Sequence, residues 1–154
     1  MLLVDGCWLF DGRIDSFEDL GCWKACRELR KYIHDSVLPI LPPDERYRLN
    51  DQLIRAARST TANIAEGYGR RHYLDNAKFI RHSLGSQHES QHECLDHLIT
   101  AADESLIPQD LLAAFRPVFD KSVALVTATR LILRSPQSVS YEHLTTINKQ
   151  LPTP

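Results

Sequence analysis

His88-Glu89-Ser90-Gln91-His92 matches the pattern H-E-x-x-H. On a helix that spacing puts two imidazoles on one face with a carboxylate beside them. A metallohydrolase uses this arrangement to hold zinc and to place a general base near the bound water. The chemistry needs a third ligand. In the extended form of the motif Leu95 stands at the glycine position and Leu98 at the third histidine, while Glu104 lies further along the same helix. Cys94 and His97, three residues apart, add soft donors, but a cysteine there packs readily as a small apolar residue. The stretch is rich in His, Glu and Gln. The favoured reading is therefore a polar helix face on the surface or at a subunit seam. No metal and no cofactor are expected; a metal, if bound, would use His88 and His92.

Other catalytic patterns are missing. No Ser-His-Asp or Cys-His arrangement follows from spacing, and neither G-x-x-x-x-G-K-[ST] nor G-x-G-x-x-G occurs. Gly67-Tyr68-Gly69 follows a helix, whereas a phosphate loop precedes one. Basic side chains are more informative. From Gly21 to Arg81 there are twelve Lys/Arg against seven Asp/Glu, a net of +5; from Gly85 to Asp110 there are six Asp/Glu and no Lys/Arg. Separated charge of this kind either pairs within one subunit or presents opposite faces to partners or to sister copies. The residues that would neutralise phosphates are Lys24, Arg27, Arg30, Lys31, Arg55, Arg58, Arg70, Arg71, Lys78 and Arg81, with His72 beside them. Arg70, Arg71 and His72, at a glycine loop, are the most accessible. For any single one of these side chains, simple solvation or pairing with Asp or Glu is the competing explanation.

Gln52–Arg71 carries the strongest local pattern. Leu49, Leu53, Ala57, Thr60 and Ile64 form an apolar stripe, with Ile54, Thr61 and Ala65 beside it. Gln52, Ser59, Asn63 and Glu66 form a polar stripe flanked by Arg55. One side fills a core; the other meets a partner or a buried hydrogen-bond network. Ala56, Ala57, Ser59 and Ala62 permit close helix approach, and Gly85 with Ser86 would offer the matching groove. Gly67 and Gly69 supply the stop of the helix.

Four helices must position these residues. The first opens at Asp15 or Ser16 and repeats apolar residues through Phe17, Leu20, Trp23, Cys26, Leu29, Ile33 and Val37 before Pro39, Pro42 and Pro43. The second opens near Pro43-Asp44-Glu45. The third runs from about Tyr73 to Ala102, with Leu74, Ala77, Ile80, Leu84, Leu95, Leu98, Ile99 and Ala102 inward; its middle, Gly85 to Cys94, is polar for a core helix. The fourth runs from Pro108 to about Leu133, with a bend or restart expected at Pro117. Residues 1–14 form an N-terminal extension in which Leu2, Val4, Trp8 and Phe10 alternate, as in a short extended segment. Residues 15–134 form the bundle. Residues 135–154, rich in Ser, Thr, Pro and Gln, are expected to be mobile. The reading is an all-α, antiparallel up-down four-helix bundle.

The chain has 154 residues, enough for one domain, with 43% apolar and 25% charged residues. A formal net charge of −2 and a pI of about 6.4 exclude a wholly basic nucleic-acid binder but leave a local patch open. No window is apolar enough for a transmembrane helix, and Met1–Phe10 is a poor signal peptide because it lacks a basic start and contains Asp5. Cys7, Cys22, Cys26 and Cys94 do not form a disulfide framework, which suits a reduced, cytoplasmic protein without a membrane partner.

QLIRAARSTTANIAEGYGRR over 52–71 resembles the hallmark of the four-helix bundle protein family, whose founding members are the 23S rRNA-intervening sequence proteins encoded within bacterial large-subunit ribosomal RNA genes. Phe17-Glu18-Asp19-Leu20 with Trp23-Lys24 is similar to the family's opening. Phe79-Ile80 through Leu84-Gly85-Ser86 and Glu89 is similar to its third-helix signature. The resemblance spans roughly Ser16 to Arg134. It implies a homo-oligomeric ring, commonly a pentamer, no catalytic activity, and kinship with the accessory variability protein of diversity-generating retroelements. That relative is a basic pentameric barrel that binds a reverse transcriptase and nucleic acid. Its overall positive charge is absent here. Glu89 falls where the family carries Glu, whereas His88 and His92 fall where it has no fixed ligand.

The function expected is therefore a non-enzymatic oligomeric scaffold that binds RNA or DNA, or a nucleic-acid-processing protein such as a reverse transcriptase. A protein-only adaptor in a mobile-element or defence operon is the alternative, and a zinc hydrolase a remote one. Oligomerisation is also expected because Ile54, Thr61, Ala65, Leu112 and Leu125 lie beside the inner stripes and need a cover.

Overall fold

A computed structural model describes residues 3–4, 7–8, 15–69 and 76–132, with side chains over 15–69 and 82–131. The fold is an all-α four-helix bundle: α1 (Gly21–Tyr32), α2 (Leu49–Gly69), α3 (Asn76–Asp103) and α4 (Gln109–Ile132). The C-terminal tail at 135–154 lies outside the described residues.

Ser16 starts the bundle. Its hydroxyl accepts from the Glu18 amide at 3.3 Å, and the Asp19 carboxylate accepts from the amides of Ser16 at 2.8 Å and Asp15 at 3.0 Å. These contacts cap a 3-10 turn at Phe17–Asp19. The same two amides, Ser16 first, hold the Asp19 carboxyl below its ordinary range. α1 then runs into a π-helical turn at Ile33–Val37 and a 3-10 turn at Leu38–Ile40 containing Pro39. Leu41 is buried and anchors the connection. After a 3-10 turn at Pro43–Glu45, the Glu45 carboxylate accepts from the Leu49 amide at 3.3 Å, which satisfies one free donor of the α2 start.

α3 ends on Ser105, whose φ of 58° places a non-glycine residue in the left-handed region. The Leu106 amide donates back to the Ala101 carbonyl at 2.8 Å and closes the helix end. α4 continues through Pro117 as one helix, so no restart occurs. Pro117 and Ala113 are both exposed, which leaves the carbonyl deprived of its partner open to water. At the N-terminus two short strands, β1 (Leu3–Val4) and β2 (Cys7–Trp8), pair antiparallel with Leu3 opposite Trp8. This is a hairpin rather than one extended segment, and β1 lies against α4.

Each helix packs mainly against two neighbours: α2 against α1 and α3, and α4 against α1 and α3. The core has two apolar clusters. One gathers Leu29, Ile33, Leu53, Leu98 and Phe115; the other gathers Cys22, Cys26, Ile64, Leu84, Leu125 and Val126. A buried polar layer separates them. Thr60 of α2, Gln87 and Gln91 of α3 and Ser122 of α4 are all fully buried. The Gln91 amide donates to Ser122 Oγ at 2.7 Å, and the Gln87 amide donates to Cys26 Sγ at 3.0 Å. This layer explains the polar middle of α3: its glutamines point inward. Burial pushes the Cys22 thiol up to about 11 and the Cys94 thiol up to about 12, so both are neutral packing groups.

Of the apolar residues expected to need cover from another subunit, Thr61, Leu112 and Leu125 are buried within this one chain, and Ile54 and Ala65 are half-buried. The bundle closes over them because each helix packs mainly against two neighbours, so three of the five need no cover from another subunit. Among the described residues no helix is long and apolar enough to cross a membrane.

Candidate nucleic-acid interface

The basic residues divide by helix and by flank. On α1, Lys24, Arg27 and Lys31 are exposed at spacings of three and four, a single outward face. Glu28 interrupts it but is drawn to Lys121 of α4 at 2.8 Å. Arg30 turns the other way, toward α2, where it is half-buried and donates to Thr61 Oγ1 at 2.8 Å. On α2, Arg58 is exposed, while Arg55 pairs with Asp51 at 3.3 Å. Arg70, Arg71 and His72 lie outside the described residues, and so do the side chains of Lys78 and Arg81, whose backbone belongs to α3.

Arg30, Lys31 and Arg58 converge on a groove of about 260 Å³ between α1 and α2, floored by Ile33, Leu38, Ile54 and Ala57. The π-helical turn shapes it. A π turn is wider than an α turn and often marks a functional site, and here it supplies Ile33, His34 and Asp35 to one wall. Asp35 is the one carboxylate on the lining, and its Oδ1 lies 3.0 Å from His34 Nδ1. The groove thus offers three permanent cations against one carboxylate that already has a partner. It is smaller than the roughly 300–1,000 Å³ of ordinary small-molecule sites. A charged segment laid across it fits better than an enclosed cofactor.

The polar stripe of α2 does not enter a buried network within the chain. Gln52 and Glu66 are exposed, and Ser59 and Asn63 are half-buried. Ser59 Oγ returns a hydrogen bond to the Arg55 carbonyl at 2.9 Å. The buried polar work falls instead to Thr60, Gln87, Gln91 and Ser122. Gly67 is buried at the α2 exit. Ala56 and Ala57 are buried in the packing, but Ala62 is exposed. Gly85 does not form the groove for α2: a side chain there would meet the Arg130 guanidinium of α4 at 3.9 Å. Ser86 is half-buried, and its carbonyl accepts from Ser90 Oγ at 3.0 Å.

His88 and His92 do lie on one face, with ring centroids 4.4 Å apart. His92 Nδ1 is 2.9 Å from the His88 carbonyl oxygen and its ring meets Phe119 edge-on, while Glu89 is exposed. Burial, then the His92 and Arg130 charges, hold His88 below its ordinary value. Cys94 is turned into the core, and His97 lies 3.6 Å from Glu93. Among the described residues no three His, Cys, Asp or Glu side chains converge as a metal site would need.

Sequence reasoning missed Arg46, Tyr47 and Arg48, which lead into α2. Tyr47 is 85% exposed, and the Arg46 guanidinium stands 5.6 Å from its ring centre. The signal was present as an aromatic between two arginines, hidden by the prolines and acids read as a helix start.

A comparison with curated proteins finds no match. The profile of one family, described as 23S rRNA-intervening sequence protein, matches residues 18–128, from the turn that precedes α1 to the last turns of α4. With most of its length so matched, the chain belongs to the 23S rRNA-intervening sequence protein family.

Proposed function

We propose that this chain is a non-enzymatic, oligomeric four-helix-bundle scaffold that binds nucleic acid through the α1/α2 face. The observation that carries the reading is the groove where Arg30, Lys31 and Arg58 face one another over an apolar floor, with Asp35 held by His34. Lys24 and Arg27 extend the positive strip along α1. A strip of this kind neutralises a phosphate backbone and releases its counterions, giving binding that weakens steeply with salt. The surface position of Gln52, Ser59, Asn63 and Glu66 supports a second, self-associating flank. A ring of five is what the family resemblance implies, and a reverse transcriptase or another nucleic-acid-processing protein is the kind of protein that would share the nucleic acid.

The test is filter retention of a structured RNA at two salt concentrations, paired with light scattering of the free protein. Retention at low salt that falls at high salt is expected, together with a mass several times that of one chain. No retention at low salt removes the nucleic-acid reading. A monomer removes the assembly.

A further inference from the structure

The groove has an aromatic neighbour that duplex binding would not use. Tyr47 is the most exposed of the large apolar side chains among the described residues, at 85%, against 46% for Ile40 and 58% for Leu131. Arg46 lies toward its ring at 5.6 Å, and Arg48 is held only by a long 3.8 Å contact to Glu45. The Gln52 amide donates to the Arg48 carbonyl at 3.2 Å, so the helical path of α2 begins there. Tyr47 stands in the turn just before α2, and at about 1.5 Å per residue Ile54 follows the helix start by roughly 8 Å and Arg58 by roughly 14 Å. Ile54 and Arg58 line the groove. Asp51 shares that flank, but Arg55 pairs with it at 3.3 Å.

We infer that this face takes single-stranded nucleic acid, with one base stacked on Tyr47 and phosphates further along the same strand on Arg58 and Lys31. The inference rests on the nucleic-acid reading above and names the form of the ligand. An exposed aromatic ring beside a positive groove is the arrangement that holds single strands without sequence preference, because every base offers a π-face. A duplex keeps its bases stacked on one another and has none to offer the ring. Arginine beside the ring adds a cation to the stack.

Fluorescence anisotropy of the full chain with a labelled oligouridylate of about 12 nucleotides, and with a duplex RNA of the same length, tests it. The single strand is expected to bind more tightly than the duplex. Tyr47→Ala is expected to weaken single-strand binding about five-fold or more and to leave duplex binding unchanged, while Tyr47→Trp restores the single-strand affinity. Because Tyr47 is so exposed, these variants fold as the wild type does. Equal binding of both ligands, with no effect of Tyr47→Ala, overturns the inference and leaves the nucleic-acid reading standing. Binding of neither ligand at low salt overturns both.

Discussion

Arg58 is exposed at the groove mouth and has no ion-pair partner among the described residues, so removing it is the cleanest perturbation of the phosphate track. Each phosphate neutralised on a single strand contributes about −0.7 to the slope of log affinity against log salt. Raising salt from about 50 to 200 mM therefore costs roughly 2.6-fold per contact. Lys31 and Arg58 together account for a loss of about seven-fold across that range; Arg30, tied to Thr61 at 2.8 Å, contributes less. Arg58→Ala should shrink the salt-induced loss by about 2.6-fold. Arg116, exposed on α4 and absent from the groove lining, is the control. Arg116→Ala changes net charge identically and should leave the slope near that of the wild type. The assay is anisotropy titration at four or more salt concentrations. If Arg58→Ala binds with an unaltered slope, or if both variants change it equally, the groove is not where phosphates lie.

Ser122→Ala removes the closer acceptor of the buried Gln91 amide, at 2.7 Å, and leaves it only the long 3.7 Å contact to Cys26 Sγ, which should cost about 1–3 kcal/mol in urea unfolding. Gln91→Leu together with Ser122→Ala should cost less than the two single changes added, and strict additivity would show the pair to be uncoupled. Ser105→Gly relieves a φ of 58° and should stabilise by about 0.5–1 kcal/mol, seen as a raised Tm; a lowered Tm would contradict the strain. His88 sits below its ordinary value of 6.5 because of burial, then His92, then Arg130, with Glu89 opposing. The unfolded chain therefore binds its proton first as pH falls, and stability is full above about 6.5 and declines below it. His88→Gln should flatten that decline, and an unchanged stability-against-pH curve would remove His88 as its source.

The helices were legible because their apolar spacing is regular and their ends carry strong signals. Ser16 caps the 3-10 turn that precedes α1, and the Pro39–Pro43 cluster shapes the turns that follow it, each for a local steric or hydrogen-bonding reason; α1 itself opens only at Gly21, after an extended Leu20, and α2 continues through Gly67. No restart occurs at Pro117, because a proline on an exposed flank removes one hydrogen bond without preventing the helix on either side from packing. Gln87 and Gln91 read as surface residues, since burying an amide is favourable only when a partner such as Ser122 or Cys26 arrives from another helix, and periodicity does not report that partner. The hairpin at the N-terminus carried its own signal, Asp5-Gly6 between two apolar pairs, which alternation alone concealed. Of the candidate site, the cations of α1 and α2 were legible one by one. Their convergence was not, because it depends on the π turn that swings Ile33–Val37 against α2. Tyr47 was not legible either, since exposure of an aromatic is a fact of packing.

α2 carries two surfaces that its own geometry keeps apart. At about 100° per residue, Ile54 and Arg58 cluster around one direction, while Gln52, Ser59, Asn63 and Glu66 cluster roughly 120° further round. Leu53, Ala57, Thr60 and Ile64, all buried, occupy the remaining arc. One helix thus faces its own core, the groove beside α1, and the flank proposed to meet a sister copy. The angular gap means that neither outer face must give way for the other to be occupied. It also makes the two roles separable. Damage on the Asn63 side should alter mass in solution while each remaining chain still holds a short oligonucleotide; damage on the Arg58 side should do the reverse. A ring presenting several copies of a modest groove gains avidity for a long strand that no single copy has for a short one. Dependence on strand length should then vanish with assembly, even where the affinity of each groove persists. If length dependence survives in a monomeric variant, the two faces are not acting as separate devices.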